Sequence, residues 1–295
     1  MATLLLKTKF CIPNVRPKLV SRTRLIERLN ASIHCKLTLI SAPAGFGKTT
    51  LVIDWLSGLK ESSVWLSLDE NDNDLARFLS YFIAALQQID SKLGQITWSI
   101  LWAPQLPDIE PLITPLINEI ADLDTPFVLV LEDYHVITQS AVQEAVSFLL
   151  EHMPPQMHII IISRTDPLLP LSRLRASRQM IEIRGTDLRF TEMETATFLK
   201  QTMGMSLNID AIKTLEARTE GWIAGLQLAA LSIRNLGDVD KQAFIKALAG
   251  SDRYILDYLI EEVLNQQPQH VKDFLLRTSI LERLSGVLHN LSKKQ

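Results

Sequence analysis

Lys48-Thr49, Glu132-Asp133 and Arg164 are the residues whose types and neighbours suit phosphate chemistry. Lys48 and Thr49 fall within Ala42-Pro43-Ala44-Gly45-Phe46-Gly47-Lys48-Thr49-Thr50, a run close to the pattern G-x-x-x-x-G-K-[ST]. In such a loop the backbone N–H groups of Ala44, Gly45, Phe46, Gly47, Lys48, Thr49 and Thr50 converge on phosphate oxygens. The lysine adds a point charge at the β/γ-phosphates, and the threonine hydroxyl ligates Mg²⁺. Ala42 stands where the pattern has its first glycine. Pro43 biases that residue towards extended backbone, where a Cβ is no handicap. An ordinary glycine turn between strand and helix is the alternative, and the Lys-Thr pair and the flanks argue against it.

Those flanks position the loop. Leu37-Thr38-Leu39-Ile40 before it is short, apolar and β-prone, and Leu51, Trp55, Leu56 and Leu59 after it recur at helical spacing. Phe127-Val128-Leu129-Val130-Leu131 reads as a buried strand with Glu132-Asp133 at its carboxyl end. Carboxylates beside five apolar residues are costly unless a cation offsets them, which Mg²⁺ with its water shell does. One acid of this Walker B-like pair then holds the metal, directly or through water, and the other orients or deprotonates an attacking water. Two solvated acids at a strand end is the alternative. His158-Ile159-Ile160-Ile161-Ile162-Ser163 is a β-branched central strand ending at Arg164, which stands where open α/β sheets bind ligands and can meet a γ-phosphate; a structural salt bridge is its other reading.

With strands at 64–68 and 180–183 the count is five, with helices between most of them, and right-handed crossovers predict a doubly wound parallel sheet. The strand order stays open. A 64–68 strand lying elsewhere than between the loop strand and the acidic strand would fit a P-loop ATPase only through a rearranged sheet. Residues 69–74 read as an acidic turn leading into a helix over 75–89. Residues 90–126, rich in proline, should be irregular with one helix near 110–123, and 141–152 should be an amphipathic helix. Residues 168–178 read as a basic loop. The basic segment 7–36 reads as a short helix from about Ser21 with solvated charges, lying before the first strand where it can cover a bound base; a nucleic-acid arm is the alternative. From Thr191-x-x-Glu194, a capping box, the chain turns all-helical, with a packing segment at Gly221-Trp222-Ile223-Ala224-Gly225 and helical faces through 241–275.

The net charge of −3 across 295 residues excludes a nucleic-acid protein defined by charge alone. Two cysteines, Cys11 and Cys35, are too few for a disulfide framework, and the six histidines lack metal-ligand spacing. No signal peptide or membrane span is legible, so a cytoplasmic protein is expected.

Taken together, Val20-Ser21-Arg22, the phosphate loop, Trp65-Leu66-Ser67-Leu68-Asp69, Leu131-Glu132-Asp133-Tyr134-His135, Ser163-Arg164-Thr165-Asp166-Pro167 and Glu220-Gly221-Trp222-Ile223-Ala224-Gly225-Leu226-Gln227 resemble the LuxR-type large ATP-binding transcriptional regulators (MalT-like, of the STAND class). The resemblance implies a P-loop nucleotide-binding domain at 1–186, a small helical domain at 187–238 and an incomplete winged-helix-like domain at 239–295. It implies ATP or ADP with Mg²⁺ as ligands, Val20 and Arg22 at the base, and Arg164 as a sensor of the γ-phosphate. It also implies ADP-bound monomers that self-associate with ATP and an inducer, here unknown. Glu132-Asp133 departs from the family's Asp-Asp pair, which bears on Mg²⁺ geometry and makes slow ATP hydrolysis the most to be expected. Relatives continue into a helical-repeat inducer domain and a DNA-binding helix-turn-helix, so no direct DNA binding is expected of these residues. A stand-alone P-loop ATPase or kinase is the alternative reading, and a module with a purely structural nucleotide is a third.

Overall fold

The computed structural model describes residues 5–14, 18–103, 106–234, 236–237, 241, 244–245, 253–265 and 269–278. By contact the chain forms two units, Met1–Ala224 and Gly225–Gln295.

The first unit is built on five strands, β1 (Leu37–Ser41), β2 (Ser62–Ser67), β3 (Phe127–Glu132), β4 (Met157–Ser163) and β5 (Met180–Arg184), all parallel in the order β2-β3-β4-β1-β5. Helices α1 (Thr23–Ser32), α2 (Lys48–Ser57), α3 (Leu75–Leu86), α4 (Gln95–Leu101), α5 (Ile109–Ala121), α6 (Ser140–His152) and α7 (Leu171–Ala176) surround it. Successive strand residues face opposite sides, so one sheet splits into two cores. Leu37, Leu39, Leu129, Leu131, Ile159 and Ile161 meet α3, α5 and α6, whereas Ile40, Val128, Val130, Ile160 and Ile162 meet α1 and α2. β4 is buried along its whole length, which is why it reads as an unbroken apolar run.

β2 lies at the sheet edge and begins exposed. No rearrangement is needed for this order: β4 simply occupies the place between β1 and β3, correcting the expectation attached to an edge position. Two further expectations are corrected. Gln95–Leu101 is helical because Gly94, at φ 75°, turns the chain and its N–H is held by Glu119, leaving the prolines beyond the helix. Residues 171–176 form α7 rather than a loop, burying Leu171 and Leu174.

The basic N-terminal segment is only partly solvated: Lys7, Lys18 and Arg24 are exposed, whereas Lys9 and Arg22 are buried. Lys9 is buried, paired with Asp72 and with Asp69 at 2.8 Å, and lies 4.4 Å from the Tyr81 ring centre. Arg28 pairs with Asp187 at 2.8 Å and Arg24 with Glu194 at 3.2 Å. The acidic turn behaves as expected: Asp69 caps the 3₁₀ turn Glu70–Asn73, and Asp74 caps α3 by accepting from the Arg77 N–H.

After β5 come α8 (Gly185–Leu188), α9 (Glu192–Thr197) with its Thr191/Glu194 capping box, a π-turn over Phe198–Thr202, α10 (Ile209–Thr219) and α11 (Ile223–Ile233), which crosses the boundary between the units. The second unit holds the rest of α11 and helices over Arg253–Leu259 and Gln269–Thr278, with a π-turn at Ile260–Leu264 between them. Part of the stretch 241–275 with its expected helical faces lies outside the described residues, as does more than half of the expected winged-helix segment.

His158 offers a pH test of this core. Its ring lies between the Thr38 hydroxyl at 3.1 Å and the Cys35 carbonyl at 2.7 Å, and burial holds its pKa down to about 4, partly countered by the Cys35 bond. The unfolded chain therefore binds a proton that the native state refuses between about pH 6.5 and 4, so stability is complete above that window and falls as pH drops through it. From pH 7 to pH 5 the loss should reach about 2 kcal/mol by urea denaturation. His158→Gln should lower stability at pH 7 and flatten the slope; an equally steep slope in the variant would assign the effect elsewhere.

Candidate functional site

Two glycines shape the loop between β1 and α2. Gly45 and Gly47 have φ of 80° and 72°, conformations that a Cβ disfavours. A Cβ on Gly47 would also lie 2.8 Å from Ile223 Cδ1. Ala42 needs no such freedom. Among the described residues the non-glycines with positive φ are Lys18, Asp133, Arg178 and Glu220, and the Ala42 methyl packs into the α1/α2 core. This agrees with the expectation that Pro43 makes the first glycine dispensable.

α2 opens at Lys48 with Gly47 as a cap that has no side chain to offer. Its first N–H groups and the positive end of its dipole therefore remain available to an anion. Lys48 is buried and donates to the carbonyls of Ala42 at 2.7 Å and Pro43 at 2.9 Å. Burial pushes its pKa down to about 8; Arg164 adds to the lowering, while Asp133 and Glu132 oppose it. The electrostatics thus gather Lys48, Arg164 and the acidic pair at one end of the sheet, as expected of α/β ligand sites. Thr50, the third residue of α2, is exposed.

The two acids are not equivalent. Glu132 Oε1 accepts from Thr49 Oγ1 at 2.8 Å, and Oε2 accepts from Ser67 Oγ at 2.8 Å and Trp65 Nε1 at 3.1 Å. Asp133 leaves the strand in the left-handed region, at φ 56°, with its side chain half exposed and 3.8 Å from His135 Nδ1. His135 has its pKa lowered by burial, against the pull of Asp133. Glu132 is thus tied to the threonine that would ligate Mg²⁺, and Asp133 faces the open side.

Arg22 caps α1 from a buried position. Nη2 donates to the Leu188 carbonyl and the guanidinium lies 5.2 Å from the Phe190 ring centre, while Nε and Nη1 are buried without a hydrogen-bond partner. Nη1 is 3.8 Å from where a Gly47 Cβ would be, so these unsatisfied donors lie beside the loop. Burial lowers the Arg22 pKa to about 10. Val20 is half-buried two residues earlier.

Sequence reasoning passed over several participants. Trp65 and Ser67 were read only as strand residues and motif members, although in the β2–β3 register Ser67 lies directly opposite Glu132. Ser41 donates to Asp166 at 3.0 Å, and Asp166 pairs with Arg184, joining the ends of β1 and β5 to the segment after β4. Trp222 was expected only to pack, yet its indole N–H donates to the Ala44 carbonyl at 3.1 Å. Among the described residues no cluster of His, Cys, Asp or Glu could by itself cage a metal. A Mg²⁺ bound chiefly by phosphate and water, as P-loop sites use, needs no such cage, and Thr49 with Glu132 fits it.

Known proteins resemble this chain in sequence and in fold. The chain is 35% identical over 286 residues, 97% of its length, to the HTH-type transcriptional regulator MalT of Yersinia pestis (strain Pestoides F), and 34% identical over the same span to that of Klebsiella pneumoniae (strain 342). It spans 32% of the length of these relatives. Residues 260–291 match the MalT winged helix domain. The Walker-type ATPase of Pyrococcus abyssi shares the fold, with a TM-score of 0.56 at 13% identity over 96% of this chain and 92% of its own. The chain is MalT-like across almost all of its length, with a five-stranded parallel P-loop NTPase sheet and a winged-helix match near its C-terminal end.

The unequal wiring of the acids predicts unequal costs. Glu132→Ala strips the acceptor from Thr49, Ser67 and Trp65 and should cost about 1–3 kcal/mol in urea denaturation. Asp133→Ala should cost less than about 1 kcal/mol, as expected for a half-exposed side chain. Equal losses in the two variants would contradict the assignment of Glu132 as the anchored acid.

Proposed function

We propose that this chain binds ATP or ADP with Mg²⁺ and serves as the nucleotide-dependent switch of a MalT-like transcriptional regulator. The observation that carries the reading is the meeting of a buried Lys48, the Thr49–Glu132 hydrogen bond and an uncapped helix N-terminus behind a two-glycine turn. Mg²⁺, when bound, supplies the charge that offsets the phosphates beside Glu132. The chain's own residues do the rest. Lys48 exchanges the Ala42 and Pro43 carbonyls for phosphate oxygens. Glu132 keeps Thr49 oriented, Asp133 orients or deprotonates a water, and Arg164 reads the terminal phosphate. Arg22 brings its unsatisfied N–H groups, and Val20 an apolar surface, to the base.

In this reading residues 1–186 bind the nucleotide, 187–238 form the small helical domain and 239–295 contribute to the winged-helix domain. The ATP state favours self-association and responds to an inducer, with any hydrolysis slow enough to act as a timer. Among the described residues no helix is long and apolar enough to cross a membrane.

Titration of ADP and of ATP with Mg²⁺ into the chain and into Lys48→Ala tests the proposal. Equal affinity in both would remove it. Rapid turnover without any partner would favour a stand-alone ATPase instead. The lowered Lys48 pKa adds a pH signature. Phosphate favours the ammonium form, so above pH 8 binding must take up a proton, and affinity should fall about tenfold per pH unit there while remaining level near pH 7. Calorimetry at pH 7 and pH 9 in buffers of different ionisation enthalpy reads both the fall and the proton uptake.

A further inference from the structure

We infer that Trp222 is a positioning residue for the phosphate loop, aiming with the Ala224 N–H two of the loop's N–H groups from behind. The inference rests on the nucleotide reading above and deepens it. Trp222 Nε1 donates to the Ala44 carbonyl at 3.1 Å, and the Ala224 N–H donates to the Gly45 carbonyl at 3.0 Å. Between them Ile223 closes on Gly47 so tightly that a Cβ there would meet Cδ1 at 2.8 Å. Three consecutive residues thus touch three positions of one short loop.

The geometry of the peptide unit gives these contacts a consequence. In a planar trans peptide the C=O and N–H point in opposite directions. The Ala44 carbonyl shares its plane with the Gly45 N–H, and the Gly45 carbonyl with the Phe46 N–H. Among the described residues there is no cis bond to reverse this. Drawing both carbonyls towards Trp222 and Ala224 turns the Gly45 and Phe46 N–H groups to the opposite face, where an anion would lie. An unheld glycine loop samples other peptide orientations and must order itself on binding.

Trp222 is itself delivered rigidly. Glu220 and Gly221 take left-handed φ of 50° and 66°. The Gly221 N–H donates to Glu216 O at 3.1 Å, and its carbonyl accepts from the Phe190 N–H at 2.8 Å. A Cβ on Gly221 would lie 2.5 Å from the Phe190 carbonyl, so only glycine allows this approach. The Gly-Trp pair therefore divides the work: the glycine lets the chain lie flush against Phe190, and the indole reaches the loop. Linkage makes the effect reciprocal: an anion that fixes the N–H groups also tightens the bonds to Trp222 and Ala224 at the start of α11.

Trp222→Phe keeps an aromatic ring and removes the donor. In the full chain its affinity for ADP and for tripolyphosphate, which lacks a base, should both fall about fivefold to tenfold, the worth of one neutral hydrogen bond. In the unaltered chain, saturating ADP should slow hydrogen exchange at the Ala224 amide, a readout that does not depend on the variant folding. Wild-type affinity in a folded Trp222→Phe, or Ala224 exchange indifferent to bound ADP, would overturn the inference while leaving nucleotide binding intact. A wild-type chain that binds neither ADP nor tripolyphosphate would instead remove the nucleotide reading, and this inference with it.

Discussion

A buried ammonium is the constraint on which this structure turns. An isolated cation in a protein interior is expensive, and Lys48 is kept there by carbonyls from its own loop and by two acids from the end of β3. Holding those groups in place requires the sheet edge to be stiff, and the bonds from Thr49 on α2 and from Ser67 and Trp65 on β2 to Glu132 supply the stiffness. Burial, with Arg164 beside it, still lowers the Lys48 pKa against the pull of those acids. A bound anion would favour the Lys48 ammonium in the same sense as those acids do.

The same logic governs the start of the chain. Lys9 and Arg22 are buried cations, but their circumstances differ. Lys9 is met by Asp69 and Asp72, so it closes an ion cluster over Tyr81 and is structural. Arg22 has one carbonyl and two unsatisfied nitrogens beside the loop, and a group left in that state is the one that a ligand can complete. Burial alone does not separate a functional cation from a structural one; the tally of its partners does.

Much of this was legible in the sequence because it is local. Periodicity and β-branching mark the five strands, and Thr191-x-x-Glu194 forms the capping box that its spacing announces. The glycines of the loop are where left-handed backbone is needed. What escaped depends on pairing across long separations. Glu132 contacts Trp65 only because β2 and β3 run side by side in one register, and nothing in either segment states that register. The charges of Lys9, Arg24 and Arg28 look like a solvated face until their partners at 69–72, 187 and 194 are brought up to them. Strand order was beyond reach for the same reason. The Gly-Trp segment lay in between: visible as a motif, while its contact with a loop some 178 positions away was not.

The interior position of β1 bears on how the chain is made. Its neighbours on either side are β4 and β5, so the strand bearing the phosphate loop is synthesised early and finds both partners only after more than a hundred further residues have emerged. Until then its apolar faces and both its hydrogen-bonding edges are exposed, the condition under which nascent chains stall or aggregate. β2 and β3 can pair with each other in the meantime, which makes them the natural first ledge of the sheet. The proposed nucleotide site, which needs β1 beside β4, therefore takes shape only once β4 has emerged.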